Sequence, residues 1–223
     1  MVFCCNPKHP YAEICGTVLS PQIVLSESNT SYFGVRFLPG YNPVLGSSDI
    51  MPHLVNHRIP LDELIQDRRM LEGICSATDF RQQIRVFMRS YMSIYRRVCP
   101  QEHQNLLVLH SSNLMIRSAG SISIEELAED TGYTTRYIDK CFRYETGLSP
   151  KQLAKIVRFQ SAISALNQNQ HIGRSLTEIA ADLGYFDQSH FVHDFKAYTG
   201  LTPKKYQIML RNDDFDEKLR IVQ

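Results

Sequence analysis

The sequence predicts an α+β protein. A small strand-rich and helical N-terminal domain is expected over residues 1–100, and an all-α C-terminal domain over 101–223, where two helix-turn-helix subdomains are joined by a long helix. Three observations carry that expectation. Short runs rich in Val, Ile, Tyr and Phe, punctuated by Pro, Asn, Ser and Gly, fill roughly the first forty residues. After them the apolar period moves toward the 3.6 of a helix. A segment beginning at Ser123 then recurs beginning at Ser175.

In order along the chain, Ala12 to Leu19, Gln22 to Ser26 and Ser31 to Leu38 read as strands, and Pro39-Gly40 closes the last. Short helices are expected near Ser48 to Val55 and Leu61 to Ile65. A longer one runs from about Asp79 to Val98, where Phe80, Ile84, Phe87, Tyr91, Ile94, Tyr95 and Val98 recur mostly at three- and four-residue steps. Arg81, Arg85, Arg89, Arg96 and Arg97 cover much of its remaining surface. Such a helix suits a nucleic-acid or dimer contact, but a solvated face over a core stripe is the reading adopted. Cys99-Pro100 breaks the pattern and marks the domain boundary. Gln101 to Arg117 follows as helix and ends at Ser118-Ala119-Gly120-Ser121.

Composition removes several function classes. The 24 Lys and Arg against 23 Asp and Glu leave +1, which excludes a histone-like polycation and an acidic disordered tail. No apolar run approaches the roughly 18 residues of a membrane span, and Met1 to Pro10 lacks the pattern of a secretory signal. A cytoplasmic protein without membrane contact is expected. Cys4, Cys5, Cys15, Cys75, Cys99 and Cys141 form no C-x-x-C pair, so reduced thiols are expected. His53 with His57, and His190 with His193, have helical ligand spacing, but no further ligands complete either pair, and neither metal nor cofactor is expected. G-x-S-x-G, H-E-x-x-H and P-loop motifs are missing, so the chain is not expected to be an enzyme.

The repeat carries the functional signal. Its first copy, from Ser123 to Pro150, reads SIEELAEDTGYTTRYIDKCFRYETGLSP, and its second, from Ser175 to Pro203, reads SLTEIAADLGYFDQSHFVHDFKAYTGLTP. Ser123, Glu126, Ala128, Asp130, Gly132 and Tyr133 recur 52 positions later, whereas Phe142, Thr146, Gly147, Leu148 and Pro150 recur 53 later. One residue is therefore inserted after the Gly-Tyr of the second copy. Ser123 with Glu126, and Ser175 with Glu178, form capping boxes. Gly132 and Gly184 stop the first helix of each copy, and Tyr133 and Tyr185 are expected to anchor the turns. Second helices follow, with Ile138, Cys141 and Phe142 inward in one copy and Phe191 and Phe195 in the other. Gly147 and Gly200 end them. Ser149-Pro150 and Thr202-Pro203 supply an N-cap and an N1 proline for further helices. The two units span about 123–147 and 175–200, with a joining helix over about 150–167.

Two matched copies of helix, tight turn and helix resemble the DNA-binding domain of the AraC/XylS family of bacterial transcriptional regulators. The stretch IAADLGYFDQSHFVHDFKAYTGLTPKKY, from Ile179 to Tyr206, is similar to that family's signature. The resemblance implies a seven-helix unit whose two recognition helices enter successive major grooves about 34 Å apart. By motif position it places Arg136, Asp139 and Lys140 of the first recognition helix against bases, with Thr134, Thr135 and Arg143 beside them. In the second it places Gln188, Ser189, Val192 and His193. Arginine pairs with guanine, glutamine with adenine, aspartate accepts from cytosine N4, and a valine can touch a thymine methyl. Lys140, Arg143, Lys196, Lys204 and Lys205 are expected on phosphates. Asp187 reads as the N-cap of the second recognition helix.

The run YFGVRFLPGY from Tyr32 to Tyr41, with HRIPLDEL from His57 to Leu64, resembles a partly cupin-like N-terminal sensor domain of the same family, although only about three strands precede its helices. Expected partners are double-stranded promoter DNA and RNA polymerase, with a small-molecule effector and a homodimer also admitted. An activator is expected. The rival is a helical interaction module, an anti-activator or adaptor that no longer reads DNA. Residues 101–223 hold 14 Lys and Arg against 15 Asp and Glu, so positive charge has to be local to the reading faces.

Overall fold

The structure is a computed structural model, and it describes residues 1–21, 28–41, 43, 50–98, 105–169 and 172–211. Two compact units emerge. One takes in Met1–Thr17, Leu25–Leu109 and Arg143–Gly147, and the other Val18–Val24, His110–Phe142 and Leu148–Gln223, as far as each is described.

The first unit is organised by β1 (Val2–Cys5), β2 (Tyr11–Cys15), β3 (Ser31–Gly34) and β4 (Arg58–Pro60). All pairings are antiparallel, in the order β3-β1-β2-β4. Phe3 lies opposite Ala12 on one side and Phe33 on the other, which puts an apolar row on one face. The helices α1 (Met51–Leu54), α2 (Leu61–Leu64), α3 (Arg69–Cys75) and α4 (Phe80–Val98) complete the unit. Phe3, Ile14, Phe33, Leu54, Ile74 and Phe87 form its core, with the Phe3 ring 6.0 Å from Phe33 and 6.2 Å from Phe87.

Several expectations are corrected here. The strand expected over Ala12 to Leu19 shortens to β2, that over Ser31 to Leu38 shortens to β3, and Gln22 to Ser26 lies outside the described residues. β1 and β4 were not expected. Both are too short to show a period, and their pairing partners are distant in sequence. The cupin-like reading gains nothing, because β3 and β4 are free edges and no barrel closes among the described residues. α3 was also missed. Gly73 weakens its helical signal, yet a Cβ there would sit 2.8 Å from Val86 Cγ1 of α4, so close packing explains the glycine. α4 matches its expected span and buries Phe87 and Ile94, with Arg81, Arg85, Arg89, Arg96 and Arg97 exposed. Phe80 and Ile84, expected in the stripe, are exposed instead. The stripe is narrower than the periodicity suggests because α3 and the sheet cover only one side of the helix. The Cys99-Pro100 boundary lies outside the described residues.

The second unit contains most of α5 (Leu106–Arg117), followed by α6 (Ile124–Thr131), most of α7 (Thr135–Thr146), α8 (Pro150–Gln168), α9 (Leu176–Asp182), α10 (Gln188–Thr199) and α11 (Pro203–Arg211). Seven helices thus follow residue 105 among the described residues. α8 is the expected joining helix. Its 19 residues give a length of about 28 Å. It buries Leu153, Ala154, Val157, Phe159, Ala162, Ile163 and Leu166. Ser149 Oγ accepts from Gln152 N–H at 3.2 Å, and Gln152 Oε1 accepts from Ser149 N–H at 2.9 Å, closing a capping box in front of Pro150. Ser149→Ala is expected to lower folding stability by about 1 kcal/mol, read as a shifted denaturation midpoint, with Ser149→Thr retaining most of it.

Candidate nucleic-acid interface

Each repeat copy builds its reading helix from the same local devices. In α6, Ser123 Oγ accepts from Glu126 N–H at 3.1 Å, and Glu126 Oε2 accepts from Ser123 N–H at 2.7 Å. In α9 the corresponding distances for Ser175 and Glu178 are 3.2 Å and 2.7 Å. These hydrogen bonds hold both glutamates below the usual carboxylate range: the Ser123 backbone N–H contributes most at Glu126, and the Ser175 side chain most at Glu178. Because the folded values are depressed, the contribution is present above the ordinary glutamate range and is lost as pH falls through the lowered values.

The turns follow. Gly132 and Gly184 both have φ +72°, a left-handed conformation that favours glycine, and both end their helices. In the second copy Gly184 N–H donates to Ala181 O, and Tyr185 N–H to Ala180 O, each at 3.0 Å. Tyr185 is buried, with its ring 5.1 Å from Phe191 and the Arg158 guanidinium 5.4 Å above it. Burial pushes its phenol up. Tyr133 does not anchor its turn in this way. It is 50% exposed and stacks on Tyr137 at 5.1 Å. Tyr185, by contrast, joins the core that Phe159 and Ala162 of α8 form with Phe191 and Phe195 of α10.

The recognition helices begin at matching caps. Thr134 Oγ1 accepts from Tyr137 N–H at 3.3 Å and Thr134 O from Ile138 N–H at 3.1 Å, which caps α7. Asp187 caps α10 as expected, with Oδ1 accepting from His190 N–H at 2.7 Å and its carbonyl from Phe191 N–H at 3.2 Å. Inward, Ile138, Cys141 and Phe142 are buried in α7, and Phe191 and Phe195 in α10.

The outward residues are the expected ones. Thr134, Thr135, Arg136, Lys140 and Arg143 are exposed, and Asp139 is half-buried. Gln188, Ser189, His193 and Lys196 are exposed, and Val192 is half-buried. Lys204 and Lys205 are exposed at the start of α11. Helix by helix, polar and charged side chains therefore line the outer face of each recognition helix, together with Tyr137 and Tyr144 in α7, over an apolar inner one.

The structure adds two residues that sequence reasoning passed over. Thr177 Oγ1 donates to Gln188 Oε1 at 2.8 Å, which orients the amide and leaves its NH₂ group to donate outward. Asp194 is a carboxylate only 9% exposed on the inner side of α10. Lys155 Nζ of α8 is 4.0 Å from it, His190 Nε2 is 3.6 Å and His193 Nδ1 is 3.8 Å. It thus ties α10 to the joining helix. An acidic residue between Phe191 and Phe195 breaks the apolar face and is a sequence signal, but Lys155 lies 39 positions away and cannot be paired with it by spacing.

Residues 101–208 match the family model described as a helix-turn-helix domain. An uncharacterized HTH-type transcriptional regulator of Haemophilus influenzae is 36% identical over 84 residues, 38% of this chain and 27% of that protein. The HTH-type transcriptional activator AarP of Providencia stuartii is 27% identical over 103 residues, 46% of this chain and 71% of that protein. Among solved structures, the C-terminal domain of AraT, a response regulator from Geobacillus stearothermophilus, superposes with a TM-score of 0.44 at 21% identity, covering 55% of this chain and 92% of that one. This chain therefore spans about a quarter of the first of these relatives and under three quarters of the second. Residues 101–208 of this chain are thus similar to a helix-turn-helix domain found in transcriptional regulators.

Proposed function

We propose that the chain is a sequence-specific DNA-binding transcriptional regulator that sets α7 and α10 into successive major grooves of a promoter. The observation that supports this most is the duplicated, independently capped helix-turn-helix with polar and cationic outer faces, within a domain whose relatives carry the names of transcriptional regulators and an activator. Residues 101–223 would bind DNA, and residues 1–100 would sense or oligomerise. Arg136 and Gln188 would read bases, helped by Asp139, Ser189, Val192 and His193. Lys140, Arg143, Lys196, Lys204 and Lys205 would hold phosphates. RNA polymerase would be the protein partner and the cytoplasm the compartment. No helix among the described residues is long and apolar enough to cross a membrane. The reading includes no catalytic step.

Two features of the first unit support a regulatory role. A cavity of about 260 Å³, just below the usual size of small-molecule sites, is lined by Ala12, Leu61, Ile65, Met70 and Leu71 with Glu13, Asp62, Asp67 and Arg68, and leaves room for a small effector only. Along α4, Phe80, Ile84, Met88 and Met92 are exposed at four-residue steps, an apolar edge available to a second copy.

Selection from a pool of random duplexes by the full chain tests the proposal. The expected product is one motif of two blocks about 10 base pairs apart. Failure to enrich any motif would overturn it. On random duplex the five phosphate-contact candidates set a limit: the slope of log affinity against log salt should be no steeper than about −5. A steeper slope would place cations outside these helices, such as the α4 arginines, on DNA.

A further inference from the structure

The residue inserted in the second repeat copy can be identified. Gly132 and Tyr133 correspond to Gly184 and Tyr185 at a shift of 52, whereas the helix caps Thr134 and Asp187 correspond at 53. Phe186 is therefore the extra residue. It stands between the buried anchor Tyr185 and the cap Asp187, and it has no counterpart in the first copy. It is also 93% exposed, more than any other large apolar side chain among the described residues.

Among the described residues of the second unit, no core contact explains it. The core of α8, α9, α10 and α11 includes Tyr185 and Phe191 but not Phe186. A phenyl group left in water supplies apolar contact area when a partner buries it. Its backbone is held on both sides: Tyr185 N–H is bonded to Ala180 O, and Asp187 caps α10 through His190 N–H. The ring is therefore presented from a fixed position two residues ahead of Gln188.

We infer that Phe186 is an additional reading residue that packs on the C5 methyl of a thymine in the groove entered by α10. The inference rests on the DNA-binding reading above. A phenyl ring has no hydrogen-bond donor or acceptor for base edges, and the thymine methyl is the apolar group a base pair presents in the major groove. The insertion makes the two copies unequal: the second presents Phe186 ahead of its recognition helix, at a place where the first has no residue.

The test uses the full chain and the duplex it selects. Parent and Phe186→Ala proteins are titrated against that duplex, with each thymine in turn replaced by deoxyuridine to remove only the methyl group. At one thymine in the block read by α10, the replacement should weaken the parent about fourfold, the worth of one buried methyl. The same replacement should leave Phe186→Ala unchanged, and that variant should keep the parent's denaturation midpoint. If every replacement affects parent and variant equally, or if the variant binds the intact duplex as tightly as the parent, the inference falls. A variant that loses transcriptional activity while keeping parental DNA affinity would assign Phe186 to a protein partner and would also overturn it. If the parent selects a duplex and Gln188→Ala releases it but no thymine couples to Phe186, the inference alone fails. If the parent selects no duplex, it fails together with the DNA-binding reading.

Discussion

Phe195→Ala is expected to cost the second unit about 3–5 kcal/mol of folding stability, the range for emptying a buried phenylalanine site. Phe195 is fully buried in α10, with its ring 5.6 Å from Phe159 of α8, 5.9 Å from Phe191 and 5.5 Å from Tyr206 of α11. Removing it takes the shared contact from three helices at once. The neighbours sit on separate rigid helices and cannot all collapse into the gap. Against a typical domain stability of about 5–15 kcal/mol, a loss of this size leaves little reserve. Chemical denaturation followed by circular dichroism reads it directly. Phe195→Leu, which refills part of the volume, should recover a good share. A Phe195→Ala midpoint close to the parent's would mean that this ring cluster is not the core of the unit.

Arg136→Ala and Gln188→Ala should each weaken binding to the selected duplex by about 1–3 kcal/mol, roughly 5- to 150-fold. Neither substitution should move the denaturation midpoint, because both side chains are exposed. The two differ in their controls. Arg136→Ala should also make the salt slope shallower by about one unit if the guanidinium lies near a phosphate, whereas Gln188→Ala should leave it unchanged. The residues sit in different repeat copies, so their effects should add. Thr177→Ala should weaken binding less than Gln188→Ala does, since it frees the amide without removing it. If both alanine variants hold the selected duplex as tightly as the parent, α7 and α10 are not the reading helices.

Much of the second unit was legible because its instructions are local. Ser123 with Glu126 and Ser175 with Glu178 start helices within four residues, and Gly132 and Gly184 stop them within one. Asp187 was readable as a cap because capping needs only the residues that follow it. Repetition then raised weak local signals into a specific pattern. The first unit was less legible. β1 is central in the sheet yet pairs with Tyr11–Cys15 and Ser31–Gly34, and nothing in its four residues states either register. α4 was found by its period, but which part of its apolar surface is covered depends on α3 and the sheet.

The candidate interface divides along the same line. The sequence by itself determined the two helix-turn-helix units, their caps, and the outward rows from Thr134 to Arg143 and from Gln188 to Lys196, because helical spacing sorts inner from outer faces. It also showed that one residue was inserted. Only the tertiary structure decided which residue that was, that Tyr185 anchors its turn while Tyr133 lies at the surface, that Thr177 holds Gln188, and that Asp194 meets Lys155. Each of these depends on distances between helices, and helix packing, unlike capping, is not written within a single turn of chain.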